Sequence, residues 1–176
     1  PFWRARGRYE RLEKLLLQAR VAAESMKDAN SAIATLLNLG QLAGNQGNQQ
    51  QQLEYLQAGL LQAENLVNEE LIAKALGSLG VMAVSQGDYR RAEAYFRRCL
   101  DLSRALKHTV FINNTLLVLG VVAEKRGDFA QAERYLREVE ARIREANIPQ
   151  FLSMILVNLG TTALAQADYE AAEARF

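Results

Sequence analysis

The tripeptides Asn-Leu-Gly, Ser-Leu-Gly, Val-Leu-Gly and Asn-Leu-Gly end at Gly40, Gly80, Gly120 and Gly160, a period of forty residues held without slippage. Leu36, Leu76, Leu116 and Leu156 stand three positions before each tripeptide's leucine, and Ala43, Ala83, Ala123 and Ala163 three after each glycine. In one unit, Leu76, Leu79, Gly80 and Ala83 are spaced 3, 1 and 3 and share one helix face. A unit this small cannot bury its stripe alone, so neighbouring units must stack to complete a core.

Turn signals recur with the same period: RGRY at Arg6–Tyr9, QGNQ at Gln46–Gln49, QGDY at Gln86–Tyr89, RGDF at Arg126–Phe129 and QADY at Gln166–Tyr169. Gly87 suits a left-handed helix end, and Asp88 then caps a second helix. Asn48 with Gln51 and Asp128 with Gln131 have capping-box spacing. Ala167 replaces the glycine, so its turn is expected to be rebuilt. The second helix of this unit carries Tyr89, Ala92, Phe96 and Leu100 on one side and a charged surface on the other. The glutamine tract Gln49–Gln52 falls in that helix's register and is a diverged helix, not a linker, since Leu53, Leu56 and Leu60 keep a helical spacing. Gln52 takes the slot of Ala92, where an amide is expected to loosen the packing. Each interhelical glycine costs about 1 kcal/mol relative to alanine, a loss that implies close approach by the neighbouring helix.

These features predict first helices near 30–46, 70–86, 110–126 and 150–166. Second helices are predicted near 8–27, 48–67, 88–107, 128–146 and from 168 onward. The units are 1–30 (partial), 31–70, 71–110, 111–150 and 151–176 (partial), in a single array over 1–176. Leu-Leu-Gly, Ala, Gly-Asp-Tyr, Ala and Phe at these offsets resemble the tetratricopeptide repeat. That resemblance implies an all-α, right-handed superhelix of antiparallel helix hairpins. The forty-residue form resembles the repeats of kinesin light chains. It is also similar to the C-terminal sensor regions of bacterial signal-transduction (STAND-class) ATPases and LuxR-type transcription regulators. The opening PFWRARGRYERLEKLLLQAR resembles the first repeat after the ATPase and winged-helix regions of those proteins.

Composition excludes several function classes. Apolar residues make up 49% and charged residues 23%, ordinary values for a globular chain. The net charge is +1, too small to draw the chain to nucleic acid or an anionic membrane. No apolar run approaches the roughly 18 residues of a membrane helix. Cys99 is the lone cysteine, which points to a reducing compartment and a cytoplasmic setting. The chain starts without Met and ends without a cap signal, so it is expected to be a piece of a longer protein.

No catalytic constellation is present: there is no phosphate-loop motif, no His-Glu-x-x-His and no cysteine pair. His108, the single histidine, lies in an inter-repeat turn and is expected to be solvent-exposed. Cys99 occupies a slot held elsewhere by Gly59 and Val139, a packing position. No enzyme activity, cofactor or metal is expected. Residues 31–70 carry no basic and four acidic groups, whereas 71–110 carry seven basic and three acidic. The cluster Arg90, Arg91, Arg97, Arg98 and Arg104 reads as a solvated face ahead of a phosphate-binding stripe.

Binding in a groove remains. By the register of the resembled family, groove-facing residues are Asn38, Gln41 and Gly44; Lys74, Ser78 and Val81; Asn114, Val118 and Val121; and Asn158, Thr161 and Leu164. Related repeats use the Asn before Leu-Gly to hold a peptide backbone, since an amide both donates and accepts. Asn38 and Asn158 match that slot, and Ser78 and Val118 depart from it. Exposed Val81, Val118 and Val121 would suit a helix or an apolar segment. The expected function is a protein-interaction and sensor module of a signal-transduction ATPase or regulator. The alternative is a stand-alone scaffold or adaptor that binds a peptide or helix, and another domain of the same chain is also a candidate partner.

Overall fold

Three-residue turns, each followed by a capping side chain, recur every twenty residues and divide the chain into helices. The structure is a computed structural model and describes residues 2–147, 152–166 and 172–174, with side chains 2–6, 153 and 154 left aside. The helices are α1 (Phe2–Ser25), α2 (Ala29–Asn45), α3 (Gln49–Asn65), α4 (Glu69–Ser85), α5 (Tyr89–Ala105), α6 (Thr109–Lys125), α7 (Phe129–Glu145) and α8 (Leu152–Ala165). From α2 to α7 each is 17 residues long. Observed ends lie within two residues of those expected, except at α1. The second helix expected from 168 and the turn at Ala167 lie outside the described residues, apart from 172–174.

The six turns that follow α1 to α6 close in the same way. The N–H of Gly87 reaches the Val84 carbonyl at 3.0 Å and that of Asp88 reaches the Ala83 carbonyl at 2.9 Å, the paired bonds of a Schellman motif. The caps follow: Asp28, Asn48, Asp88 and Asp128 each accept from the backbone N–H three residues on. Gly47, Gly87 and Gly127 are left-handed, with φ of 78°, 74° and 77°. The Asp28 carboxyl is held below its ordinary value, chiefly by the Ser31 side chain and then by the Ser31 backbone N–H. Its cap is therefore fully present above the ordinary carboxylate range and is lost as pH falls through the lowered pKa.

Four expectations are corrected here. The turn expected at Gly7 does not form, because α1 runs through it as one 24-residue helix. The capping boxes do not close, because the Asn48 and Asp128 N–H groups are already bonded to the Ala43 and Ala123 carbonyls. His108 is half-buried rather than exposed. It caps α6, its Nδ1 accepting from the Phe111 N–H at 3.4 Å and its ring meeting the Phe111 ring edge-on at 4.6 Å. Finally, the packing around Gln52 is not loosened. A Cβ at Gly44 would meet the Gln52 Nε2 at 2.5 Å, so Gly44 holds the space that the amide fills.

The turns between repeats use non-glycine left-handed residues, Lys27, Val67, Lys107 and Asn147, again forty apart. A β-branched residue is the least suited to this conformation. Val67→Gly is expected to raise the unfolding free energy by about 1 kcal/mol, read by urea denaturation.

The described residues fall into two compact units, 1–82 and 83–176, with the boundary inside α4. In the first, α1 packs on α2 and α2 on α3. Leu56 is 0% exposed, and its Cδ2 would lie 2.7 Å from a Cβ at Gly40. The close approach inferred from the glycine register is thus a leucine seated on the glycine. In the second unit, α5, α6, α7 and α8 pack in succession. Phe96, Leu116, Leu119, Leu136 and Ile155 form its core, and Leu136 sits over Gly120.

Candidate interaction surface

The stripe that buries one side of each first helix leaves the opposite side open. On α2 that side carries Asn38 and Gln41, both exposed between buried Leu37, Leu39 and Leu42. Gly44, one turn on, is half-buried against Gln52. On α4 the corresponding residues are Ser78, half-buried, and Val81, 51% exposed. Lys74 is half-buried, and its Nζ donates to Glu70 Oε1 at 2.7 Å. The starts of α2 and α4 are tied by Asn68 Nδ2 donating to Asn30 Oδ1 at 3.0 Å. This first face is therefore polar along α2 and mixed along α4.

In the second unit, Asn114 is exposed, Val118 half-buried and Val121 38% exposed along α6. On α8, Asn158 is half-buried, and its backbone carbonyl accepts from the Thr161 and Thr162 hydroxyls at 2.9 and 2.8 Å. Thr161 is exposed, as are Leu164 and Val157. Thr162 Oγ1 also meets Glu124 Oε2 at 3.5 Å, which fixes α8 beside α6. This second face is the more apolar of the two. Val118 departs from the expected exposure because it packs against the core cluster.

Part of the arginine cluster is paired with carboxylates. Arg97 pairs with Glu93 at 2.7 Å, and Arg104 grips both carboxylate oxygens of Glu138 at 2.7 and 2.8 Å. Arg126 also pairs with Glu93, and Arg91 lies 4.0 Å from Asp88. Cys99 is buried, its Sγ 3.6 Å from Thr115 Oγ1, in the packing role its register predicts. Among the described residues no cluster of His, Cys, Asp and Glu could hold a metal ion, and no helix is long and apolar enough to cross a membrane.

The sequence reading overlooked a third surface, the exposed Leu12, Leu15, Leu17 and Val21 of α1. Their signal was available in the register, because Leu17 and Val21 stand where α5 has Arg97 and Asp101.

A family model described as tetratricopeptide repeat matches residues 31–105. No curated protein sequence matches the chain significantly. Among solved structures, BtubC (BKLC) from P. vanneervenii is 22% identical with a TM-score of 0.88, over 98% of this chain and 72% of that one. A putative kinesin light chain of Podosopora anserina with nearly identical TPR-like repeats is 14% identical with a TM-score of 0.78, over 98% of this chain and 86% of that one. A Rap protein complexed with competence and sporulation factor is 14% identical with a TM-score of 0.67, over 89% of this chain and 49% of that one. Residues 31–105 thus carry the tetratricopeptide repeat, and the chain has the all-α fold of tetratricopeptide-type helical solenoids.

Proposed function

We propose that the chain is a cytoplasmic protein-interaction module whose first-helix faces hold a helix or peptide, and that it acts by binding rather than by turnover. The carrying observation is the position just after each Leu-Gly pair. Gln41, Val81, Val121 and Thr161 are all exposed, and two of the four are valines. Valines open to solvent at a repeated register favour a partner's apolar side chains. The amides of Asn38, Asn114 and Asn158 supply donors and acceptors beside them. The Rap protein, of similar fold, is named as a complex with competence and sporulation factor, which supports a binding role for the fold. The Glu93 and Glu138 carboxylates beside Arg97 and Arg104 weigh against a phosphate backbone as ligand.

The likeness of the opening segment to regulator repeats supports a finer reading. The module would be the sensor arm of a signal-transduction ATPase or transcription regulator, arranged as one array. A ligand with higher affinity for one conformational state would then bias the attached switch toward that state.

The binding claim is tested by selecting peptides from a displayed library against the protein. Val121→Asp is expected to weaken a selected peptide at least tenfold while leaving thermal unfolding unchanged. Unchanged affinity in Val121→Asp, Asn38→Ala and Asn158→Ala alike would remove the first-helix assignment. The sensor reading is tested on the parent polypeptide, where a phosphate-loop motif is expected. Its absence would leave a stand-alone adaptor.

A further inference from the structure

Two neighbouring turns give the first unit an apolar end. Met26, in the turn from α1 to α2, is 78% exposed, and Leu66 and Val67, in the turn from α3 to α4, are 47% and 78% exposed. Asn68 Nδ2 donates to Asn30 Oδ1 at 3.0 Å, so the two turns lie side by side. Each is closed by a helix on both sides. The turn at the other end of α2 is Gln46, Gly47 and Asn48, and it exposes no apolar side chain.

Val67 is the informative residue of the three. It is left-handed, with φ of 53°, where a β-branched side chain is strained. The same register holds polar residues elsewhere, Lys27, Lys107 and Asn147. Val67 leaves most of its surface in water, so no core packing offsets the strain. A strained residue without a packing role marks a functional position.

The charges around the two turns select the partner. No Lys, Arg or His occurs between Lys27 and Lys74, whereas Asp28, Glu54, Glu64, Glu69 and Glu70 fall in that interval. Lys74 is held by Glu70 at 2.7 Å. Asp28 and Glu69 are both exposed, two residues beyond Met26 and Val67 respectively. An apolar tip with an acidic rim repels an anionic bilayer, whose peripheral proteins set Lys and Arg beside their apolar groups. It complements a segment that carries apolar side chains and cations together. The corresponding turn of the second unit sets Lys107 beside Leu106 and lacks this rim.

We propose that the Met26, Leu66 and Val67 end of the first unit docks a basic amphipathic helix of a partner protein. The helix would set its apolar side chains on these three residues and its Lys or Arg side chains toward Asp28 and Glu69. This site is distinct from the first-helix faces described above, and neither assignment depends on the other.

The test titrates the protein into a fluorescein-labelled model peptide of Leu and Lys in helical register, followed by anisotropy. Saturable binding is expected, weakened at least about fivefold by each of Val67→Asn, Met26→Gln and Glu69→Lys. A peptide with Glu in place of every Lys is expected not to bind. Val67→Asn should also unfold at a higher urea concentration than the parent, because asparagine tolerates the left-handed conformation. Weaker binding in a more stable protein separates the contact from any folding defect. No saturable binding, equal affinity of the parent and the three variants, or equal affinity for the two peptides would overturn the proposal. So would cosedimentation with phosphatidylserine vesicles that Val67→Asn abolishes, because the end would then serve a lipid surface. A concentration-dependent dimer in sedimentation velocity that Val67→Asn abolishes would overturn it too, because the end would then belong to a second copy of this chain.

Discussion

Leu56→Ala is expected to lower the unfolding free energy by about 4 kcal/mol, measured by urea denaturation. The side chain is 0% exposed and sits over Gly40, with its Cδ2 and Cγ at 2.7 and 2.8 Å from where a Cβ would stand. The glycine therefore exists to receive this leucine, and truncation leaves a void on a helix that cannot fill it. The surrounding backbone is held by three-residue turns at both ends of α3, so the hairpin has little freedom to collapse inward. A loss below about 1 kcal/mol would mean that the two helices are not in the contact described.

The second large effect lies one turn away. Gly44→Val is expected to cost about 3 kcal/mol, because the new side chain would displace the buried Gln52 amide from its place. Gln52→Ala alone should cost less, since it opens a gap without stranding a polar group. The double variant restores the combination found at Val84 and Ala92, and Val84 packs against the cluster that includes Ala92. It is expected to lie within about 1 kcal/mol of the parent, a strongly non-additive pair. Additive losses would contradict the idea that position 44 and position 52 are sized to each other.

This pair also shows where the sequence could be read and where it could not. The helix register was legible because Leu36, Gly40 and Ala43 recur unchanged, and so was the helical nature of the glutamine tract. The effect of Gln52 was misjudged because its compensation sits on another helix, at Gly44, which a scan along one helix does not bring beside it. The left-handed residues at Val67 and Lys107 carried no glycine to announce them; the closing carbonyl bonds impose that conformation despite its local strain. The capping boxes failed for a related reason, since one N–H cannot serve both a Schellman bond and a side chain. At Gly7 a turn signal was present, but the backbone is helical through it.

For the candidate surface, the register of the resembled family placed Asn38, Gln41, Val81 and Val121, and all four are exposed. It did not reveal that Val118 is half-buried, because that depends on how closely neighbouring helices approach. Nor did it reveal the exposed Leu12, Leu15 and Leu17 of α1.

The most direct measurement is a methyl-labelled NMR titration of the protein with a peptide selected from a displayed library. Binding on the first-helix faces predicts that the methyl signals of Val81, Val118 or Val121 shift and saturate with the peptide. Shifts confined to the methyl groups of α3, α5 and α7 would contradict it, and would place recognition on the second helices instead.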